Sequence, residues 1–270
     1  METRVGYIGV GKIGKPIAAN AVAAGYPLIA FDLNEQPLQE LKGLGANVAK
    51  SSAEVGEWAD IIELSVVDDR QVEDAILGKN GVLEQARPGS VIAIHSTIHP
   101  DTAVKIGEAA GAKGVGVVDA PISGGVEGAL AKTLLYMVGG TAELFEHCRP
   151  LFETSGTTIV HMGPLGSGAM TRIVHHVMLA LNRMAADEGM MLARKVGLDW
   201  DSVIEAVHGG EAQSHVTDGY LEKYRAMPTG GQIRIAGLAL GMANDGGVSL
   251  PALALYQQLY LKGPRVGLDA

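Results

Sequence analysis

Over the first 162 residues, short apolar runs alternate with stretches that repeat their apolar positions at helical spacing. Val5–Ile8, Leu28–Phe31, Ile61–Val66, Ser90–His95, Gly116–Val118, Leu134–Val138 and Thr158–His161 read as strands. Lys15–Ala24, Gln36–Leu44 and Val72–Ile76 read as helices between them. Strands that alternate with helices predict an α/β fold with a doubly wound, mostly parallel sheet. The pattern changes at Gly163. Ser167–Val196 is apolar-periodic and free of proline, which predicts one helix roughly 45 Å long. Arg194 and Lys195 suit its C-terminus, and Gly197 is placed to end it. Asp201–His208, Val216–Tyr224, Ile235–Ala243 and Ala252–Tyr260 predict further helices. Two domains follow: a sheet domain over residues 1–162 and an all-helical domain over 163–270. Met178, Leu179, Leu181, Met184, Met190, Met191 and Leu192 lie on several faces of the long helix. A second copy of the chain is expected to cover part of them, in a homodimer or a dimer of dimers.

Composition narrows the class. Hydrophobic residues make up 47% of 270 residues, enough for a sizeable core, while aromatics at 4% are too few for base-stacking platforms. The formal charge of −9, with no cluster of Lys and Arg, argues against nucleic acid or an anionic membrane as partner. Cys148 is the single cysteine, so no intramolecular disulfide can form, and it reads as a small buried hydrophobe. No signal-like segment and no long apolar span is evident, so a cytoplasmic protein is expected. The eight histidines show no ligand spacing, and no metal is expected.

Candidate chemistry begins at Gly9-Val10-Gly11-Lys12-Ile13-Gly14, a G-x-G-x-x-G between a strand and a helix. Gly9 permits the tight turn, Gly11 lets a pyrophosphate approach the backbone, and Gly14 brings the helix onto the strand. The first helix then offers free N–H groups to the phosphates. Asp32 ends the second strand, 18 residues after Gly14, followed by Leu33 and Asn34 rather than arginine. A carboxylate there accepts from both ribose hydroxyls and repels a 2′-phosphate, so NAD is expected over NADP. The first domain is therefore expected to be a Rossmann-type, dinucleotide-binding one. Asp119-Ala-Pro-Ile-Ser123-Gly124-Gly125 follows the fifth strand, where loops face the ligand crevice. Ser123, Gly124 and Gly125 offer a hydroxyl and bare N–H groups to a carboxylate or carbonyl oxygen.

With these segments the chain resembles the β-hydroxyacid dehydrogenase, or 3-hydroxyisobutyrate dehydrogenase, family. The likeness covers nearly the whole chain. It includes Ser96–Pro100, Asp119–Gly125, Met137–Gly140, the Gly163–Gly168 approach to the long helix, and Gly247–Pro251. The resemblance implies a helical second domain like that of 6-phosphogluconate dehydrogenase. It also implies that Val66, Val67, Thr97 and Arg234 lie along the cofactor.

At two places the pattern breaks. Where the family has its proton-transferring lysine, and an asparagine four residues later, this chain has Arg172 and His176. Arginine stays protonated and is a poor proton donor, though it can stabilise an oxyanion or grip a carboxylate. His176 titrates in the right range to supply the proton, with His175 as the alternative at i, i+3 from Arg172. Where the family often has Lys-Asp, this chain has Arg234 and Ile235, after an altered loop at Met227–Gly231. The expected activity is NAD-dependent interconversion of an alcohol and a carbonyl on a small carboxylate-bearing substrate. Imine reduction and non-catalytic binding of NAD(H) are the alternatives.

Overall fold

A computed structural model of the protein describes residues 3–224 and 229–263. Among the described residues nine strands form one sheet: β1 (Val5–Ile8), β2 (Leu28–Phe31), β3 (Asn47–Val48), β4 (Ile61–Leu64), β5 (Val91–Ile94), β6 (Gly116–Asp119), β7 (Ile122–Ser123), β8 (Leu134–Gly139) and β9 (Gly156–Gly163). Their order is β3-β2-β1-β4-β5-β6-β8-β7, with β9 also paired to β8. From β3 to β6 all pairing is parallel; β8 runs antiparallel to β6 and β7, and β9 lies parallel to β8 with two register shifts. The crossover helices are α1 (Gly14–Ala23), α2 (Glu35–Gly43), α3 (Ser52–Trp58), α4 (Asp69–Leu77), α5 (Val82–Gln85), α6 (Pro100–Gly111), α7 (Gly125–Ala131) and α8 (Ala142–Phe152). Chain order reverses between β1 and β4, and such a switch point opens a ligand crevice beyond the strand C-termini.

Side-chain alternation gives the sheet two cores. Tyr7, Leu28, Tyr136 and Phe152 pack with α1 and α8 on one face, and Ile8, Ile62, Leu64 and Ile92 pack with α4 and α6 on the other. β4 stops at Leu64, so Ser65 and Val66 leave the ladder as crevice loop rather than continuing the expected strand. The single cysteine, Cys148, lies inside the first core, where burial and the nearby Glu63 push its thiol up to about 12.

The helical part comprises α9 (Ser167–Lys195), α10 (Trp200–His208), α11 (His215–Asp218), α12 (Gly230–Asp245) and α13 (Pro251–Tyr260). The stretch expected as one helix over Val216–Tyr224 is instead α11, opened by a Ser214–Thr217 capping box, followed by a wide helical turn at Tyr220–Tyr224. Two compact units divide between Arg172 and Ile173, within α9. The second unit packs Ile173, Ala180, Ile235, Ala239, Leu253, Tyr256 and Tyr260 together, with Met190, Val216 and Tyr220 in a smaller cluster. No described helix is long and apolar enough to cross a membrane.

Candidate active site

In the first unit, the sheet brings five loops to its C-terminal side, at the ends of β1, β2, β4, β5 and β6. The glycine-rich loop follows β1. Gly9 has a φ of +84°, and a Cβ there would meet the Ser65 carbonyl oxygen at 2.4 Å. A Cβ on Gly14 would meet the Gly9 carbonyl oxygen at 2.0 Å. Both glycines are therefore dictated by the protein's own packing. Gly11 differs: it is exposed, and a Cβ there meets nothing within 4 Å. The space over its backbone, at the start of α1, is open, and a helix start with open backbone is chemically suited to a phosphate. Val10 is wholly buried in the core, so only its backbone faces this loop, whereas Lys12 is exposed and Ile13 half-buried.

Asp32 follows β2 directly. Its Oδ1 accepts the Asn34 N–H at 2.8 Å, and Asn34 in turn caps α2 by accepting from the Gln36 N–H. This Asx turn aims the carboxylate, and among the described residues Oδ2 takes no hydrogen bond. Leu33 is almost fully exposed at 94%. The glycine loop and the acid together fit a dinucleotide carrying a free ribose 2′-hydroxyl.

After β4, the Tyr7 hydroxyl and Ser65 Oγ are hydrogen-bonded at 2.9 Å. Ser96, after β5, holds Val66 twice: its hydroxyl donates to the Val66 carbonyl at 2.8 Å and accepts the Val66 N–H at 2.9 Å. Val67 is exposed and Thr97 half-buried on either side of this clamp. The sequence singled out Val66 and Thr97; the serine that binds their loops together was visible only as part of a motif.

Beneath these loops is a pair that the sequence reading missed. His95 Nδ1 bonds the Ala120 carbonyl at 2.9 Å and Nε2 bonds Glu63 Oε1 at 3.0 Å, with both side chains buried. A carbonyl only accepts, so Nδ1 carries a hydrogen. One further proton must then lie between Nε2 and the carboxyl group, on either partner. The pair ties β4 and β5 to the first residue beyond β6.

Asp119, the last residue of β6, is fully buried. Its Oδ1 accepts the Gly166 N–H at 2.8 Å and its Oδ2 accepts the Ala169 N–H at 2.6 Å. Burial pushes this carboxyl up to about 6, against the opposing pull of the N–H groups of Ala169, Gly166 and Gly168. Beyond it, Ser123 is half-buried in β7 and paired with Leu135, while Gly124 and Gly125 turn into α7 with φ of 127° and 66°. Arg172, half-buried, follows Ala169 on the next part of α9.

In the second unit, α9 presents His176 on its buried face and His175 half-buried beside it. His176 Nε2 lies 2.8 Å from the Gln232 carbonyl. Nε2 therefore carries a hydrogen, and in the neutral ring the lone pair is on Nδ1. The Gln232 side chain accepts from Tyr256 Oη at 2.7 Å and from the Arg183 guanidinium at 3.1 Å. Asp187, one helical turn beyond Arg183, accepts from Tyr220 and from Tyr260. Burial is the main reason that the Tyr256 hydroxyl is pushed up to about 12. Arg234 is half-buried on α12, and Ile235, at the position of the family's acid, is in the helical core. Of the altered loop at Met227–Gly231, residues 227 and 228 lie outside the described residues.

Two family models between them match most of the chain. Residues 4–163 match the family model described as the NAD binding domain of 6-phosphogluconate dehydrogenase. Residues 166–269 match the NAD-binding domain of NADP-dependent 3-hydroxyisobutyrate dehydrogenase. The chain is 33% identical over 272 residues to 2-(hydroxymethyl)glutarate dehydrogenase of Eubacterium barkeri, covering 98% of this chain and 90% of that one. It is 34% identical over 271 residues to 3-hydroxyisobutyrate dehydrogenase of Pseudomonas aeruginosa, covering 96% and 91%. Among solved structures, Mycobacterium tuberculosis 3-hydroxyisobutyrate dehydrogenase with L-serine superposes with a TM-score of 0.86 at 27% identity, over 97% of this chain and 94% of that one. Several imine reductases share the fold at 15–17% identity, which shows the fold alone. With its two matched domains and these relatives, the chain belongs to the β-hydroxyacid dehydrogenase family of NAD-dependent oxidoreductases, which act on a hydroxyl group or its carbonyl counterpart.

Proposed function

We propose that this protein oxidises or reduces a 3-hydroxy acid of the form HOCH2–CHX–COO⁻, with His176 in place of the family's proton-transferring lysine. The relatives named above act on, or are bound to, 2-(hydroxymethyl)glutarate, 3-hydroxyisobutyrate and L-serine, which share that skeleton and differ in X. When bound, the nicotinamide supplies or accepts hydride at the terminal carbon. Gly9–Gly14 and Asp32 hold its dinucleotide, and Val66, Val67, Thr97 and Arg234 flank it. Ser123 and the N–H groups of Gly124 and Gly125 hold the substrate carboxylate. Arg172 keeps its proton and steadies the negative charge that develops on the substrate oxygen. His176 gives its Nδ1 proton to that oxygen in reduction, and takes the proton back in oxidation.

The observation that carries this reading is the bond from His176 Nε2 to the Gln232 carbonyl. That bond supports a hydrogen on Nε2, and in this reading Nδ1 is the atom that would exchange the proton. Steady-state turnover of the three hydroxy acids with NAD⁺, in the wild type, His176→Ala, His175→Ala and Arg172→Lys, tests it. His176→Ala is expected to lose about 10²- to 10⁴-fold in kcat, with His175→Ala near the wild type. Turnover that survives in His176→Ala assigns the proton to another group and ends this mechanism. The same reading includes a homodimer in the cytoplasm. Met170, Val174 and Met178, on one exposed stripe of α9, are 49%, 56% and 64% exposed, which is apolar surface a second copy would cover. Light scattering at twice the chain mass is the expected result, and a monomer would remove that part.

A further inference from the structure

Three sequence motifs meet at one buried carboxylate. The first is the end of β6, which supplies Asp119. The second is the end of β8, where a Cβ on Gly139 would stand 2.3 Å from Asp119 Oδ1 and 2.8 Å from the Gly168 nitrogen. The third is the start of α9, where a Cβ on Gly168 would meet the Met137 carbonyl oxygen at 2.3 Å and the Asp119 carbonyl oxygen at 2.5 Å. The glycines let backbone rest directly on backbone, and the carboxylate fills what space remains. It takes N–H groups of Gly166 and Ala169, which a helix beginning at Ser167 leaves without intrahelical acceptors. The cap thus comes from a strand 47 to 50 residues earlier rather than from the helix's own N-terminal side chain. A buried carboxylate with bonds to both oxygens has one orientation available, so it fixes the helix start in direction as well as position.

We propose that Asp119 is a positioning residue that sets the first turn of α9, and with it Arg172, against the Ser123–Gly125 loop. The proposal builds on the role given above to Arg172, three residues after Ala169. On one side of Asp119 the chain continues through Ala120 and Pro121 to the substrate loop; on the other, its two hydrogen bonds lead into the helix that carries the oxyanion-stabilising charge. Any rotation of that helix start moves a reacting partner by a distance on which turnover depends steeply. The dinucleotide loop after β1 makes no use of these bonds.

Asp119→Asn and Gly139→Ala test the proposal together, both in the full-length protein. Asparagine keeps the size but turns one acceptor into a donor facing an N–H. Alanine leaves the carboxylate intact and displaces it. Three quantities are read: NADH affinity by fluorescence, kcat and KM for L-serine or 3-hydroxyisobutyrate with NAD⁺, and amide hydrogen exchange over residues 164–172. In both variants, kcat is expected to fall by about 10- to 100-fold, with NADH affinity within about twofold of the wild type. Exchange at residues 166 and 169 is expected to quicken at least about tenfold. Unchanged exchange overturns the proposal, and so does faster exchange with kcat unchanged. A matching loss of NADH affinity in both variants would reduce Asp119 to general scaffolding and overturn it as well. If the wild type turns over none of the hydroxy acids, the assigned chemistry fails, but the exchange measurement still decides whether Asp119 holds the helix.

Discussion

Asp119 illustrates how a single residue can set function against stability. Its carboxyl holds a proton up to about pH 6 in the folded protein, compared with 3.8 for an ordinary aspartate. Between those values the folded state binds more protons than the unfolded state, so stability falls as pH rises through that window and is level above it. The full shift corresponds to about 3 kcal/mol, an upper figure for a group opposed by several N–H bonds. Urea unfolding should therefore show a wild type more stable at pH 5 than at pH 7, with a smaller difference in Asp119→Asn. Equal slopes in the two proteins would mean that the burial cost lies on other groups. The ionised form that caps α9 is thus the more costly one to fold. At this scale the sequence was informative about some roles and silent about others. The position of Asp32 directly after a strand could be read, because an apolar run and one spacing define it. Arg172 and His176 stood out as departures from a pattern. Asp119 stood in plain view at the head of a motif, yet its partners are Gly166 and Ala169, and nothing local marks two backbone N–H groups as its ligands. The same holds for Glu63 and His95, which look like misplaced polar residues in two apolar strands until the fold lays those strands side by side.

Among the elements, the β1–α1 turn carries glycines of two kinds that look alike in sequence. Gly14 is compressed against the Gly9 carbonyl, whereas Gly11 opens on empty space. Gly14→Ala should cost about 1–3 kcal/mol of stability through overpacking. Gly11→Ala should leave the melting temperature within about 2 °C and weaken NADH binding by at least about tenfold. If the two variants exchanged these phenotypes, the crevice would lie elsewhere. The longer elements were legible because many residues vote for them: β1 and β2 have the expected bounds, and α9 ends one residue before the expected Val196. The short ones were not. β3 and β7 have two residues each and exist because β2 and β8 offer them a ladder. The helix expected at Val216–Tyr224 breaks because Tyr220 turns inward to donate to Asp187. That interaction belongs to a buried polar group assembled from α9, α12, α13 and Tyr220, whose hydrogen-bonded pairs between elements lie 24 to 73 residues apart in sequence. Helical periodicity marks Arg183 and Asp187 as an intrahelical pair but cannot supply their remaining partners.

At the scale of the whole molecule, the net charge of −9 works against an anionic dinucleotide and an anionic substrate alike. On the function proposed above, binding would then depend on local donors, the N–H groups of the glycine loop and Arg172, more than on long-range attraction. The chain is also built so that its largest sheet does not close. β9 forms a ladder with β8 along one side. Its stretch Thr157 to Met162 is uncharged apart from His161 and free of proline, with Val160 and Met162 at 40% and 36% exposed. An edge of that composition is a template on which another chain can add a strand. The two register shifts where β9 meets β8 twist it and shorten the straight portion, which is the protein's safeguard against stacking. Heating below the melting point should therefore produce turbidity from folded or nearly folded molecules before global unfolding does. Val160→Lys should delay that turbidity while leaving NADH affinity unaltered, and equal turbidity in the two proteins would locate the sticky surface elsewhere. Storage and crystallisation of this dehydrogenase would then be governed by a strand that carries none of the residues assigned to its chemistry.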